Sequence, residues 1–162
     1  MEELKQFKCL ADLNEVIGKI GAYKARPIEQ GGHPTIYEER SEGKYKTVMG
    51  VRVCDYKFSP DLQWVLPDDQ MGLSFSATWQ NLKNVYKLVS RGKTKPLDVY
   101  WILSEADIPP GLAFVKDRRT SNSAKGHYYL TVTEMMTVAA LVEKLKMIAH
   151  HMSIIRAAGK IL

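Results

Sequence analysis

The chain has 162 residues, 45% hydrophobic and 25% charged, which suits one domain with a single core over residues 1–162. No stretch approaches the ~18 unbroken apolar residues of a membrane span, and Met1-Glu-Glu-Leu-Lys-Gln-Phe-Lys8 lacks the apolar core of a cleaved secretory signal. The expectation is a cytoplasmic protein without membrane insertion, or one delivered to a recipient cytoplasm by a route that needs no cleaved signal. The net charge of +5 favours anionic partners such as dinucleotides, nucleic acid or an acidic protein, and is modest for a dedicated nucleic-acid binder.

Leu10 to Ile20 reads as a helix with Leu13, Val16, Ile17 and Ile20 on one side. Gly21 can end it. Ala22 to Ile28 reads as extended, because Pro27 disfavours helix at Arg26. Gln30-Gly-Gly-His-Pro34 is a loop, and Tyr45 to Tyr56, rich in Val, Tyr and Thr, has a strand pattern. Gln63 to Leu66 is a short strand after the Ser59-Pro-Asp turn. Gly72 to Ser76 is a strand running into a helix in which Trp79, Leu82, Tyr86 and Val89 recur at helical spacing. Ser76 or Thr78 can cap that helix. Arg91-Gly-Lys-Thr-Lys-Pro96 is a basic turn, and Val99 to Leu103 is a continuous apolar run expected in a central strand. Leu112–Lys116 and His127–Val132 read as strands joined by a long loop, a place where function or mobility concentrates. A final helix is expected from Glu134 to about Ala157, capped by Thr133, with Met135, Val138, Val142, Leu145, Ile148 and Met152 as its buried stripe. Several strands without regular βαβ alternation, and helices at the start, middle and end, make an α+β fold.

The sequence holds no Gly-x-Gly-x-x-Gly, no phosphate-binding Gly-x-x-x-x-Gly-Lys-Ser/Thr and no His-Glu-x-x-His. No Gly-x-Ser-x-Gly elbow supports a Ser-His-Asp triad. Cys9 and Cys54 lack metal-site spacing and read as reduced, buried thiols. His150 and His151 are adjacent, about 100° apart around a helix, and do not form an i, i+4 ligand pair. His33 reads as a solvated loop residue.

Two stretches carry chemistry. In Gly72-Leu-Ser-Phe-Ser76 the alternation of a strand puts Ser74 and Ser76 on one face and Leu73 and Phe75 on the other. The hydroxyls then stand beside a helix N-terminus, which favours a phosphate or sugar hydroxyl; a half-buried edge strand with a serine cap has the same pattern. In His127-Tyr-Tyr-Leu130, His127 and Tyr129 share a face, and Tyr128 and Leu130 share the other. His127 reads either as a hydrogen-bonded structural residue or, beside a phenol and a basic loop, as a ligand-binding group that both donates and accepts. Arg118, Arg119 and Lys125 suit phosphates or a solvated loop.

The ordered set Gly72-x-Ser74, Ile108-Pro-Pro-x-Leu112, Lys116-Asp117, a nine-residue loop, His127-Tyr128, and Met136 with the following helix resembles the Tse-two type of cytotoxic effector, an ADP-ribosyltransferase-like family delivered by type VI secretion. The resemblance covers residues 72–150, about half the chain, and extends to Tyr23-Lys24, where the family's first strand has Tyr-Arg. It implies an α+β fold with an ADP-ribosyltransferase-like split β-sheet and flanking helices. It further implies NAD as cofactor, growth arrest by modification of a macromolecular target in a bacterial cytoplasm, and neutralisation by an immunity or antitoxin protein. Ser74 and His127 become the catalytic candidates. Tyr23, Lys24, Arg26, Ser76, Tyr128, Arg118 and Arg119 become the cofactor-binding ones: a tyrosine on a ring, cations on the pyrophosphate. The chain departs from the family in Lys24, where the family has Arg. It also lacks a Glu-x-Glu pair; Glu105 and Glu134 stand alone. A non-enzymatic or RNA-directed toxin acting through the basic loop is the alternative expectation.

Overall fold

The computed structural model describes residues 23–91, 97–103 and 107–156. The helix expected over Leu10–Ile20, Cys9, Glu105 and most of the basic turn after Arg91 lie outside these residues. The described strands are β1 (Tyr23–Glu29), β2 (Thr47–Val48), β3 (Val51–Arg52), β4 (Lys57–Phe58), β5 (Trp64–Leu66), β6 (Leu73–Ser76), β7 (Leu97–Leu103), β8 (Leu112–Lys116), β9 (His127–Val132), β10 (Met136–Thr137) and β11 (Ser153–Arg156). Two helices, α1 (Trp79–Ser90) and α2 (Val138–His151), complete an α+β architecture.

The main sheet is antiparallel, in the order β11-β7-β1-β6-β9-β8. Its pairings are uneven. β1 pairs with β7 along its whole length, from Tyr23↔Leu103 to Glu29↔Leu97, whereas β1 meets β6 through the single pair Ala25↔Ser76. The sheet therefore consists of two three-stranded halves joined at one residue pair. Pro27 has no N–H to donate to a ladder, and the β6 pairing stops two residues before it. On the other strand, the chain leaves the seam just past Ser76, where the Ala77 N–H bonds to the carbonyl of Gly126 at 2.8 Å.

Side-chain alternation gives each face its own core. Tyr23, Ala25, Leu97, Val99 and Trp101 pack beneath Leu82 and Tyr86 of α1. Leu73, Phe75, Ile102, Leu112, Leu130 and Val132 pack against Val138, Leu141, Val142, Leu145 and Ile148 of α2. Thr78, not Ser76, caps α1: its hydroxyl accepts from the Asn81 N–H at 3.2 Å. Gly72 enters β6 at φ +149°, and a Cβ there would lie 2.1 Å from the Leu130 carbonyl oxygen, so only glycine allows β6 and β9 to meet at this point. The Tyr56 phenol closes the same corner, donating to the Leu130 carbonyl at 2.8 Å.

Four expectations are corrected. Tyr45–Tyr56 is not one strand but a hairpin, β2 and β3, turned by Met49 (φ 53°) and Gly50 (φ 86°). The final helix starts later than Glu134, because Met136 and Thr137 first pair with Val65 and Trp64 as β10. Thr137 then caps α2 by accepting from Ala140 N–H, and Met135 is left exposed. The helix also stops at His151, since Ser153–Arg156 turns back as β11 and covers the outer edge of β7. Cys54, expected to be buried, is exposed. His33 is exposed as expected, and its Nδ1 accepts from the Thr35 and Ile36 N–H groups at 3.2 and 3.1 Å.

Candidate functional site

The β8–β9 hairpin builds the site from its loop end. Its last ladder bond runs from the Asp117 N–H to the His127 carbonyl at 2.9 Å. The intervening loop tightens into a short 3-10 turn at Asn122–Ala124 and returns through Gly126 (φ +76°), where a Cβ would fall 2.3 Å from the Thr78 hydroxyl oxygen. The loop is thus pressed onto the start of α1. Buried Asn81 joins it there, donating from Nδ2 to the Ser123 carbonyl at 3.2 Å and accepting from the Ser76 hydroxyl at 2.5 Å.

Register places the candidate side chains. Ser74 stands opposite Tyr129 and Ser76 opposite His127, so all four project from one face. Ser74 is exposed; Ser76 is buried and bonded to Asn81. Between Ser74 and His127 lie Ser76 and Tyr129, not aliphatic packing. The Tyr129 ring meets the imidazole edge-on at 4.7 Å.

Asp117 is the residue around which this face is organised. Its side chain is wholly inaccessible, yet it accepts from five donors. The Arg119 N–H reaches Oδ1 at 3.0 Å, and the Arg119 guanidinium reaches both oxygens, with Nη2 2.6 Å from Oδ2. His127 Nδ1 lies 2.8 Å and the Tyr129 hydroxyl 3.4 Å from Oδ2. The Arg119 side chain, aided by its backbone N–H and by His127, holds the carboxyl far below the usual carboxylate range despite burial. Burial and the Asp117 charge push the Tyr129 phenol up. His127 Nε2 has no protein partner among the described residues. Beside this cluster Val115, Thr131, Thr133 and the Asp68-Asp69 turn line an open depression of ≈ 460 Å³; Ser74 and His127 do not line it.

The remaining candidates lie elsewhere. Lys24 and Arg26 point to the opposite face, as does Tyr128. Lys24 Nζ sits 4.8 Å from the Tyr128 ring centre and 5.7 Å from that of Phe114. Arg26 is buried, donates to the Tyr37 hydroxyl at 2.8 Å and lies 5.6 Å from the Phe75 ring, while its Nε and Nη1 are buried without a partner. Tyr23 is buried beneath α1, edge-on to Trp101 at 4.5 Å. Arg118 grips Asp69 through two bonds of 3.0 and 3.1 Å.

No family model, curated protein or solved structure matches this chain.

The structure thus brings together Ser74, Ser76, His127 and Arg119 with Asp117 and Tyr129, and separates them by the thickness of the sheet from Lys24, Arg26 and Tyr128. Asp117 had a signal in the sequence: an acid one residue past a strand, followed two residues on by Arg119 and facing a histidine at the start of the returning strand. Such a face can hold a ligand by a free hydroxyl, an imidazole nitrogen and a ring edge. No group of three or more metal-ligating side chains is found among the described residues, and no helix there is long and apolar enough to cross a membrane.

Proposed function

We propose that this chain is a growth-inhibiting toxin of ADP-ribosyltransferase-like architecture that binds NAD on the Ser74–His127 face and transfers ADP-ribose to a target in a bacterial cytoplasm. The observation that carries the reading is the juxtaposition of an exposed Ser74 with a buried, anchored His127 on neighbouring strands, directly beside the one-pair seam between two half-sheets. A seam in the sheet with hydroxyl and imidazole groups at its lip is the arrangement expected of a split-sheet dinucleotide cleft.

In this reading the ribose–nicotinamide C–N bond breaks, its electron pair leaves with nicotinamide, and a target nucleophile bonds to the ribose carbon as it loses its proton. The transition state has oxocarbenium character. Ser74 hydrogen-bonds the ribose or the nicotinamide amide, and His127 holds a ribose hydroxyl. The phosphates do not fall to Lys24 and Arg26, which lie behind the sheet. Asp117 is already engaged by Arg119 and His127, so it does not take the ribose-holding role of the glutamate in many ADP-ribosyltransferases. The geometry therefore supports dinucleotide binding more directly than turnover. The net charge of +5 suits an acidic immunity or antitoxin partner. A toxin acting through its basic loop on RNA has less support, because Arg118 and Arg119 are both paired with carboxylates.

The test combines toxicity and product analysis. In an inducible bacterial culture, the Ser74→Ala, His127→Ala double variant, shown to be folded, should lose growth arrest. Mass spectrometry of cells expressing the unaltered chain should show nicotinamide release and an ADP-ribosyl addition. Full toxicity in the double variant would reject the site.

A further inference from the structure

We propose that Asp117 is a positioning residue that fixes His127 as the Nδ1–H tautomer, so that Nε2 presents a lone pair to a ligand hydroxyl. The hydroxyl's identity as a ribose hydroxyl rests on the NAD reading above; the tautomer does not.

An ionised carboxylate can only accept hydrogen bonds. Asp117 accepts from Arg119 and is held ionised by it, so the 2.8 Å contact with His127 requires the proton to be on Nδ1. Neutral imidazole carries one N–H, which leaves Nε2 as an acceptor. The ring is also held against rotation. The Asp117 N–H is tied to the His127 carbonyl, and Tyr129 stands edge-on to the ring while its hydroxyl points at the same carboxylate oxygen. One nitrogen is engaged within the protein and the other has no protein partner among the described residues, so it is the one open to a ligand. Exposed Ser74 projects from the same face, a second hydrogen-bonding group for the same ligand.

The test is ¹⁵N–¹H correlation spectroscopy of the imidazole nitrogens in the full, folded chain at neutral pH, followed by titration with NAD. The unaltered chain should show His127 protonated at Nδ1 and bare at Nε2. In Asp117→Asn, whose amide can either accept or donate, the tautomers should mix, and NAD affinity should fall about tenfold, as for one lost hydrogen bond. Arg119→Lys, a milder change, should keep the Nδ1–H form. An Nε2–H or doubly protonated His127 in the unaltered chain would overturn the proposal without recourse to any variant, and so would an unchanged tautomer in folded Asp117→Asn. If the Nδ1–H form is found but NAD does not bind, the dinucleotide reading fails and the positioning role of Asp117 stands.

Discussion

Arg119 and Arg26 show two ways of housing a guanidinium on opposite faces of one sheet. Arg119 lies at the rim and gives three side-chain bonds to a buried carboxylate. Arg26 lies inside, with one hydrogen bond to Tyr37 and rings of Tyr37 and Phe75 nearby, and two of its nitrogens unpartnered. Burial pushes the Asp55 carboxyl up while Arg26 and Arg52 draw it down, but Arg26 and Asp55 make no ion pair. The first arrangement orients other groups. The second contributes little beyond packing, because a buried charge without a bonded counter-ion carries its desolvation cost uncompensated. Position in a cluster, not residue type, separates a working arginine from a structural one.

That contrast can be broken by substitution. Asp117→Ala should have the largest effect, costing about 2–3 kcal/mol in urea denaturation, because His127 Nδ1 and the Arg119 N–H lose their acceptor. Arg26→Met should go the other way, from neutral to about 2 kcal/mol more stable, since an apolar chain of similar length replaces a poorly paired charge. A loss as large as that of Asp117→Ala would show that Arg26 is bonded after all and would erase the distinction. Acid sharpens it further. The folded Asp117 carboxyl titrates below its ordinary value of about 4, so its stabilisation is present above that pH and is lost as pH falls through the folded value. Asp117→Asn should therefore flatten the acid limb of a stability–pH profile below pH ~4, and Arg26→Met should leave it unchanged. Smallest of all, Arg118→Ala should shift the urea midpoint by less than about 0.5 kcal/mol equivalent, because its bidentate pair with Asp69 is solvent-exposed.

Much of this was legible in the residues. Alternation over Leu73–Ser76 and His127–Leu130 assigned each side chain to its face, because a strand's period of two leaves no freedom once one face is apolar. The strands of the β8–β9 hairpin followed from local chemistry in the same way, and the cap of α1 was narrowed to Ser76 or Thr78, of which Thr78 serves. What alternation could not give was the other side of the sheet: Lys24 and Arg26 were grouped with Ser74 from the order of motifs, but their face is fixed by the pairing of Ala25 with Ser76, a contact 51 residues apart (76 − 25). The C-terminal boundaries failed for a related reason. Thr133 and Thr137 are equally able to cap, and the choice was made by β10 pairing with β5. β11 follows His151 with no Gly or Pro to announce it, and it forms because the outer edge of β7 is open to receive it. The hairpin in Tyr45–Tyr56 was hidden by Met49, an unusual residue for positive φ.

The lone Ala25–Ser76 pair has a mechanical meaning. With only one rung of backbone pairing across the join, the halves are fastened by side chains on both faces: α1 packs Leu82 and Tyr86 over Tyr23 and Ala25 and holds Ser76 through Asn81, while the core under α2 joins Ile102 of β7 to Leu73 and Phe75 of β6. The two helices act as rivets. Pulled apart, the molecule should part along this line before either three-stranded leaf unzips.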